Sequence, residues 1–175
     1  PKLHLKAWTA VEINWFEFLE KRPTAEILQE LKDVGLGSMP GGGAEIFHPE
    51  VRDQICEHKA DSTNWIHIHR TAHQLGIKTN CTMLYGHVEK PLHRIDHLIR
   101  LRDLQDETGG FTAFISWTFQ HEHTDMEDVP ETYAHEYLKT LAVSRLFLDN
   151  IQHLQTSWVT QGKKIGQLGL MFGAD

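Results

Sequence analysis

The sequence predicts an α/β fold, a partial (β/α)8 barrel of about five βα units with parallel strands. Apolar runs of strand length alternate along the chain with segments in which apolar residues recur at the spacing of a helix face. Polar or glycine-rich stretches follow these runs. An open doubly wound sheet has the same alternation and is the alternative, but the long polar loops, with residues 120–129 the longest, favour the barrel.

Each expected strand is followed by helical sequence. The first strand covers residues 3–13, the second leads into the glycine-rich residues 38–47, and the others cover residues 77–85, 111–119 and 153–160. Residues 111–119 are nearly all apolar, which is typical of a strand covered on both faces. Helical sequence is expected at residues 14–19, 24–34, 48–52, 65–75, 91–108, 130–148 and 163–171, with N-caps at Thr24 and at Ser62 or Thr63.

The two outer strands of such a sheet lack a neighbour on one side. Residues 3–13 and 153–160 would form these edges, and proteins seldom leave long strand edges exposed. About five units make somewhat more than half of an eight-unit barrel. We therefore expect residues 1–175 to be a single portion of a longer barrel, with further units before Pro1 in the native protein, or else a chain that self-associates as a homo-oligomer through its open edges.

The composition argues against several classes of protein. The chain has 175 residues, a formal net charge of −7 and an ordinary content of hydrophobic residues. The negative charge argues against nucleic acid or an anionic membrane surface as the main partner. No apolar run reaches the roughly 20 residues that span a bilayer and no signal peptide opens the chain, so we expect a soluble, cytoplasmic protein. Cys56 and Cys81 form neither a disulfide framework nor a CxxC site.

The glycine-rich segment is the feature around which the predicted site is organised. Pro40 precedes Gly41, Gly42 and Gly43, and Glu45 follows closely. Since glycine has no Cβ, such a backbone can adopt positive φ and lets a ligand approach closely. A plain turn is the alternative, and a phosphate-binding loop is disfavoured because no Gly-Lys-Ser/Thr sequence follows. At the carboxyl end of a parallel strand, the segment predicts a binding site with a carboxylate beside it.

Further polar residues stand near the ends of the predicted strands. They are Glu12, Glu45, Thr82, Tyr85, His87, Ser116, Thr118, Gln120, Ser157, Thr160 and Gln161. In a barrel these side chains converge on one mouth. They offer mostly hydrogen-bonding groups and two carboxylates, which suits a hydroxyl-rich small molecule such as a nucleoside. By themselves these residues do not indicate which reaction is catalysed. A hydrolase is not supported, because the sequence has no nucleophile-elbow motif.

Two groups of histidines have spacings that a metal can use. His69 and His73 are four residues apart on one predicted helix, near His67, but no carboxylate or cysteine stands at a matching position. A solvated or helix-flanking face is the expected role. The His-Glu-His sequence of residues 121–123 follows the fourth strand, where a metal is the alternative to the expected polar loop. We predict no metal site from these patterns.

The amino-acid sequences of several segments extend this interpretation to a known family. Residues 38–47, 79–89, 104–111 and 157–162 closely resemble radical S-adenosylmethionine enzymes of the futalosine route to menaquinone. The resemblance covers essentially the whole chain. It implies a (β/α) barrel that carries a [4Fe-4S] cluster on three cysteines of a CxxxCxxC loop, and cleavage of S-adenosylmethionine to a 5′-deoxyadenosyl radical. It also implies that residues 1–175 are the C-terminal portion of that barrel, without the cluster-binding part.

The sequence resembles two different enzymes of this family, and both remain as alternatives. Residues 4–12 and 80–87 resemble the aminofutalosine synthases, which add the adenosyl radical to an enolpyruvyl-benzoate and lose carbon dioxide. Residues 114–120 and 157–162 look more like the dehypoxanthine futalosine cyclases, which close a ring after abstracting hydrogen from a ribose. Deazaflavin synthases share the pattern more loosely. The larger part of the chain favours the synthase, and the cyclase is the alternative.

The resemblance also implies roles for residues. It places S-adenosylmethionine against Thr9, Glu12, Gly41, Gly42, Gly43 and Glu45. It places the second substrate nearer to Thr82, Tyr85, His87, Gln120, Thr160 and Gln161, and it assigns no catalytic residue.

One departure from the family is large. The CxxxCxxC motif is absent, and Cys56 and Cys81 cannot replace it. We therefore expect this chain alone to bind no cluster and start no radical. The competing hypothesis of another class is a catalytically inert half-barrel that folds by self-association.

Overall fold

The computed structural model describes residues 3–56 and 59–175. Strands and helices alternate along the chain. In order, the elements are β1 (Leu5–Lys6), α1 (Ala10–Glu20), α2 (Thr24–Asp33), β2 (Leu36–Met39), α3 (Pro49–Ile55), α4 (Ser62–Gln74), β3 (Lys78–Tyr85), α5 (Pro91–Thr108), β4 (Phe111–Thr118), α6 (Ala134–Phe147), β5 (His153–Gln155), α7 (Trp158–Gly169) and a final 3-10 turn (Leu170–Phe172). Within the described ranges, no helix is long and apolar enough to cross a membrane.

The five strands form one open, entirely parallel sheet in the order β1-β2-β3-β4-β5. Each strand thus pairs with its neighbours in sequence, and β1 and β5 are the edges. Because parallel crossovers are right-handed, an unbroken sequential order places the crossover helices on one face of the sheet. A doubly wound sheet reverses direction at a switch point instead. The order is that of the predicted partial (β/α)8 barrel.

The two faces of the sheet differ in burial. In the register of β3 and β4, Met83 lies beside Ser116 and Leu84 lies beside Trp117. Met83 and Ser116 face the helices and are fully buried. Trp117 points the opposite way and keeps 45% of its surface exposed. We call this second face the inner face. Within the described chain, the coverage of β4 on both faces that its apolar sequence predicts is not observed.

Aromatic contacts anchor the segment after β2 to the helix layer. Trp65 of α4 is fully buried, and its ring centroid lies 5.1 Å from that of Phe47. Phe47 also stacks on the imidazole of His97, from α5, at 4.0 Å. Aromatic pairs contribute about 1 kcal/mol each beyond the burial of their area. Residues that follow β2 are therefore held by two different helices.

The first strand is shorter than expected. The prediction of a strand over residues 3–13 is wrong, because β1 ends at Lys6 and α1 begins at Ala10. Thr9 is the N-cap of that helix. Its backbone N–H donates to Oε2 of Glu12 at 2.7 Å, and the N–H of Glu12 donates to Oγ1 of Thr9 at 3.4 Å. This reciprocal capping box outweighs the alternating pattern, since it satisfies N–H groups at the helix start.

The last strand also ends early. A strand over residues 153–160 was expected, but β5 ends at Gln155 and α7 begins at Trp158 instead of residue 163. The N–H of Ser157 donates to the hydroxyl of Tyr137 at 2.6 Å, so it is not available to a sheet neighbour. Tyr137 lies on α6 and is fully buried, which a reading of local sequence cannot reveal.

Two predicted helix caps are also wrong. The N-cap of α4 is Asp61, whose Oδ1 accepts from the N–H of Asn64 at 2.8 Å, while Ser62 is the first helical residue. Pro23 occupies the N-cap position of α2, and Thr24 lies inside the helix. Both errors are small shifts along the chain at a boundary that sequence specifies weakly.

The expected solvated face of α4 is wrong for His69. This side chain is fully buried, and its Nδ1 lies 2.8 Å from Oγ1 of Thr79 on β3. Nε2 of His73 lies 2.8 Å from the same oxygen. Residues four apart share one side of a helix, and here that side faces the sheet. His67 is exposed, as expected.

Buried histidines make the stability of this fold depend on pH. His97 donates Nε2–H to the carbonyl of Thr82 at 2.9 Å, and burial lowers its pKa to about 3. Burial also lowers the pKa of His73 to about 4. In an unfolded chain, the pKa of histidine is about 6.5. The unfolded state therefore binds more protons than the folded state below that pH, so acid favours unfolding.

We predict that the stabilisation from keeping these histidines neutral is complete above about pH 7. The free energy of unfolding should fall as the pH drops from about 6.5 toward 4, by up to about 1.4 kcal/mol per pH unit for His97. Urea unfolding at several pH values measures it. The slope should be smaller in His97→Phe, which can keep the stack on Phe47, and unchanged in His67→Gln. Equal slopes for wild type and His97→Phe would contradict the assignment.

Candidate functional site

The carboxyl ends of β2, β3 and β4 surround an open cavity of about 400 Å³. We call it the strand-end cavity. It is lined by Glu45, Gln54, Ile55, Lys59, Leu84, His87, Phe119, Thr124, Asp125 and Met126. Two residues predicted from sequence, Glu45 and His87, thus meet in one cavity although they are far apart in the chain. Its position at the carboxyl edge of a parallel sheet is where barrel enzymes bind ligands.

Packing explains two of the three glycines. A Cβ at Gly41 would lie 2.6 Å from the carbonyl oxygen of Asn80, in the backbone of β3. Gly43 has a φ of +85°, and a Cβ there would lie 2.3 Å from Cγ2 of Val11. Both positions exclude any side chain. At Gly42, by contrast, the nearest atom to a Cβ among the described residues would be Cγ2 of Thr9, at 3.1 Å.

Hydrogen bonds hold the glycine segment rigid. The hydroxyl of Thr82 donates to the carbonyl of Gly41 at 2.6 Å, and Nε1 of Trp65 donates to that of Gly42 at 3.2 Å. The N–H groups of Gly42 and Gly43 have no hydrogen-bond acceptor among the described residues. The segment therefore presents fixed, unused donors, which suits a polar or anionic ligand group.

Arg52 is a structural residue of the site that the sequence reasoning missed. It is buried, and its guanidinium donates to the carbonyls of Ala44 at 2.6 Å and Gly43 at 3.4 Å, and to that of Ala60. The sequence of α3 gives no signal of this, because Arg52 stands between Val51 and Asp53 in a mostly polar helix. Arg52 fixes the chain on either side of Glu45.

Glu45 reaches the cavity through a strained backbone. Its φ is +44°, in the left-handed region that a residue with a Cβ seldom adopts. Its carbonyl accepts from the N–H of Leu84 at 3.1 Å, and its carboxylate accepts from Nζ of Lys59 at 2.7 Å. Strain at a cavity is a common mark of a functional position. The carboxylate is therefore held beside β3 and partly neutralised.

His87 lies in the turn after β3 with both ring nitrogens engaged. Nε2–H donates to the carbonyl of Leu84 at 3.0 Å, and Nδ1 accepts from the N–H of Val88 at 2.8 Å. Burial lowers the pKa of His87, so the ring is neutral near pH 7. Only 1% of its side chain is exposed, and proton transfer would require these bonds to open.

Glu89 holds the turn that carries His87, and it too was missed. Its side chain is fully buried. Oε1 accepts from the N–H of Gly86 at 2.8 Å, and Oε2 accepts from the N–H of His87 at 2.9 Å. Arg94 donates to Oε1 from Nε, also at 2.8 Å. Burial alone would raise the pKa of this carboxyl, but the two backbone donors and the positive charge of Arg94 bring it below its usual value.

Three predicted residues lie around the ends of β4 and β5. Nε2 of Gln161 donates to Oγ1 of Thr118 at 2.9 Å, and Nε2 of Gln120 reaches the same oxygen at 3.2 Å. The hydroxyls of Thr160 and Ser157 lie 2.9 Å apart. Thr160 also lines a second cavity of about 330 Å³, whose walls include Trp117 and Trp158.

The structure therefore divides the predicted site residues into groups. One group lies on β3 and after β1, β2 and β3, and it consists of Thr9, Gly41, Gly42, Gly43, Glu45, Thr82 and His87. The other group lies after β4 and β5, and it consists of Gln120, Thr160 and Gln161. Glu12 is exposed and serves the cap of α1. Tyr85 faces the helices, fully buried, with the guanidinium carbon of Arg94 4.4 Å from its ring centroid. Their binding roles stay predictions.

Neither cysteine suits an iron–sulfur cluster. Cys56 and Cys81 are both buried, and burial raises the pKa of each thiol. Sγ of Cys81 lies 3.5 Å from the carbonyl of Ala113, inside the sheet. Clusters of this kind need several thiolates around one position. The residues described here do not fit a [4Fe-4S] cluster.

Comparison with known proteins supports the resemblance seen in the motifs. Residues 108–175 match the family model described as the CofH/MqnC C-terminal region. The chain is 49% identical to the aminodeoxyfutalosine synthase of Streptomyces coelicolor over 185 aligned positions, covering all of the chain and 48% of that protein. It is 46% identical to the aminodeoxyfutalosine synthase of Thermus thermophilus, covering 99% of the chain and 48% of the relative.

A second kind of relative is somewhat more distant. The chain is 41% identical to the cyclic dehypoxanthine futalosine synthase of Halalkalibacterium halodurans, covering all of the chain and 47% of that protein. The chain thus spans about half the length of the curated relatives it matches. The resemblance predicted from the motifs is confirmed: along its whole length this chain is similar to aminodeoxyfutalosine synthases and cyclic dehypoxanthine futalosine synthases, and its residues 108–175 match the CofH/MqnC C-terminal region.

Proposed function

We propose that residues 1–175 form the C-terminal portion of a radical S-adenosylmethionine enzyme of the futalosine route to menaquinone, and that this enzyme is an aminodeoxyfutalosine synthase. The glycine segment is the observation that carries the proposal. It is rigid, it stands at the carboxyl end of β2, and it presents the N–H groups of Gly42 and Gly43 without an acceptor in the described chain. The higher identity to two aminodeoxyfutalosine synthases supports the synthase over the cyclase.

The residues of β1 to β3 would hold S-adenosylmethionine in this proposal. When bound, this cofactor supplies the adenosyl group that the enzyme adds to an enolpyruvyl-benzoate. The N–H groups of the glycine segment would donate to its polar end, and Thr9 would fix the opposite wall beside Gly42. Glu45, already paired with Lys59, would accept hydrogen bonds from hydroxyl groups.

The second substrate would contact the residues after β3, β4 and β5. His87 is neutral and held by backbone groups, so its role is positioning and exclusion of water. Gln120 and Gln161 converge on Thr118 and can donate or accept hydrogen bonds at the far side of the mouth. The exposed indole of Trp117 supplies apolar surface between the two groups.

The activity of the full-length enzyme tests the proposal. The protein is reconstituted anaerobically, supplied with S-adenosylmethionine and a reductant, and given either the enolpyruvyl-benzoate or dehypoxanthine futalosine. Mass spectrometry of the products distinguishes the cases. Adenosyl addition to the benzoate supports the synthase, cyclisation of the nucleoside supports the cyclase, and the absence of both supports an inert half-barrel.

We predict that residues 1–175 alone stay colourless after anaerobic reconstitution with iron and sulfide, because their two thiols are buried in separate places. The measurement is the visible spectrum together with iron and sulfide analysis. The full-length protein, treated in parallel, should gain the brown colour of a [4Fe-4S] cluster. A stoichiometric cluster on the short chain would contradict the prediction.

The glycine segment generates a second test, in the full-length enzyme. If it is a plain turn, Gly42→Ala changes the free energy of unfolding by about 1 kcal/mol or less and leaves the affinity for S-adenosylmethionine unchanged. We expect instead that Gly42→Val folds and that its affinity, measured by calorimetry, falls more than tenfold, or about 1.4 kcal/mol. The reason is that the valine methyl groups occupy space the ligand needs. A folded Gly42→Val protein with full affinity would leave the segment a plain turn.

A double variant separates the ligand from the contact with Thr9. Thr9→Ser removes Cγ2, which a Cβ at Gly42 would approach to 3.1 Å, but keeps the hydroxyl that caps α1. If Gly42→Ala weakens binding only by displacing Thr9, then Gly42→Ala/Thr9→Ser regains the wild-type affinity. If the alanine methyl meets the ligand itself, affinity remains low in the double variant.

The buried carboxylate of Glu89 generates a third test. Glu89→Gln keeps the shape of the side chain but leaves a buried N–H and the charge of Arg94 without a full partner. We expect it to lower the free energy of unfolding by about 3 kcal/mol, measured by urea unfolding. Glu136→Gln is the matched control, because Glu136 pairs with the same arginine at 2.6 Å but is 34% exposed, and it should cost less than about 1 kcal/mol. Equal losses of the free energy of unfolding in the two variants would contradict the role of Glu89 in holding the turn after β3.

A further inference from the structure

Three side chains outside the strand-end cavity come together at the starts of α3 and α5. They are His48, Glu50 and His93, and one ligand-type atom of each lies within 4.8 Å of the others. His48 is the N-cap of α3, Glu50 lies in its first turn, and His93 lies in the first turn of α5. None of the three lines the strand-end cavity. The sequence pattern does not single them out, because 42 positions separate His93 from Glu50.

His48 contains an unsatisfied atom. Its Nδ1 is buried and has no hydrogen-bond partner among the described residues. Buried polar atoms nearly always have a partner, so an exception calls for an explanation such as an absent ion. The imidazoles of His48 and His93 stack, with centroids 4.2 Å apart and planes 14° from parallel. The rings are therefore neighbours whose nitrogens lie side by side.

His93 and Glu50 complement that atom. His93 is buried, and its Nδ1 accepts from the N–H of Lys90 at 3.2 Å, which leaves Nε2 for another partner. Glu50 is exposed and opens the group to solvent. Its negative charge offsets the partial positive charge of the two helix N-termini, which would otherwise disfavour a cation.

We propose that His48, Glu50 and His93 bind a divalent transition-metal ion of the zinc class. Two imidazole nitrogens, one carboxylate oxygen and a water make a four-coordinate set that zinc commonly takes. To converge on one ion, the stacked rings turn about their Cβ–Cγ bonds. His93 then moves its proton from Nε2 to Nδ1 and gives up the long contact with the N–H of Lys90, so that Nε2 is free to bind the ion. Such an ion would tie the start of α3, and with it the residues that follow the glycine segment, to the start of α5.

Zinc binding to the full-length, cluster-loaded protein tests this proposal. Calorimetric titration with Zn²⁺ alone should show one site per chain beyond any bound by thiols. His48→Gln and His93→Gln should each weaken that site at least a hundredfold, and Glu50→Gln at least tenfold. The matched control is His67→Gln, which alters an exposed histidine on α4 and should leave binding unchanged. Zn²⁺ should raise the thermal midpoint of the wild type but not that of His48→Gln.

Cobalt substitution identifies the ligands. Co²⁺ in this site should give a visible ligand-field spectrum without the intense sulfur-to-cobalt band of thiolate sites, and His48→Gln should abolish it. Circular dichroism checks folding, and if His93→Gln fails to fold, the less buried His48→Gln decides the outcome. The absence of a zinc site, binding that survives His48→Gln, or a thiolate spectrum would each overturn the proposal.

Discussion

The sequential parallel pairing of β1 to β5 is the constraint on which the rest of this molecule depends. Right-handed crossovers in that order place the helices on one face, so one set of alternating side chains packs against the helices and the other set faces away from them. Cys81, Met83 and Phe114 are buried completely, while Trp117 stays exposed. The same pairing brings the five carboxyl ends to one edge, which is why residues from distant segments meet in the strand-end cavity.

Buried charged groups then fix the loops at that edge. Arg52 donates to carbonyls of the glycine segment, and Glu89 accepts from N–H groups of the turn at His87. The backbone N–H and C=O groups of a loop are not paired by the hydrogen bonds of a sheet. In a buried loop these groups need other hydrogen-bond partners. One guanidinium and one carboxylate are those partners here. Glu45 and His87 are thus presented on rigid backbone, as a binding site requires.

The comparisons and the structure bear on different parts of the proposal. Along its whole length the chain is similar to aminodeoxyfutalosine synthases and cyclic dehypoxanthine futalosine synthases, but it spans about half of each relative. The geometry shows an open cavity at the strand ends beside a rigid glycine segment, and it offers no cluster ligand among the described residues because both thiols are buried. The proposed radical chemistry therefore concerns the full-length protein.

The sequence by itself determined the βα alternation, the glycine segment and the polar strand ends, because these follow from local periodicity and from the special backbone of glycine. Its motifs also determined the family that the chain resembles. Tertiary structure decided the lengths of β1 and β5, since a capping box at Thr9 and the hydroxyl of Tyr137 compete with the ladder. It also decided that Tyr85 faces the helices, that His69 faces the sheet, and that Arg52 and Glu89 restrain the site. Alternation predicts that neighbours face opposite ways, but only packing decides which face is covered.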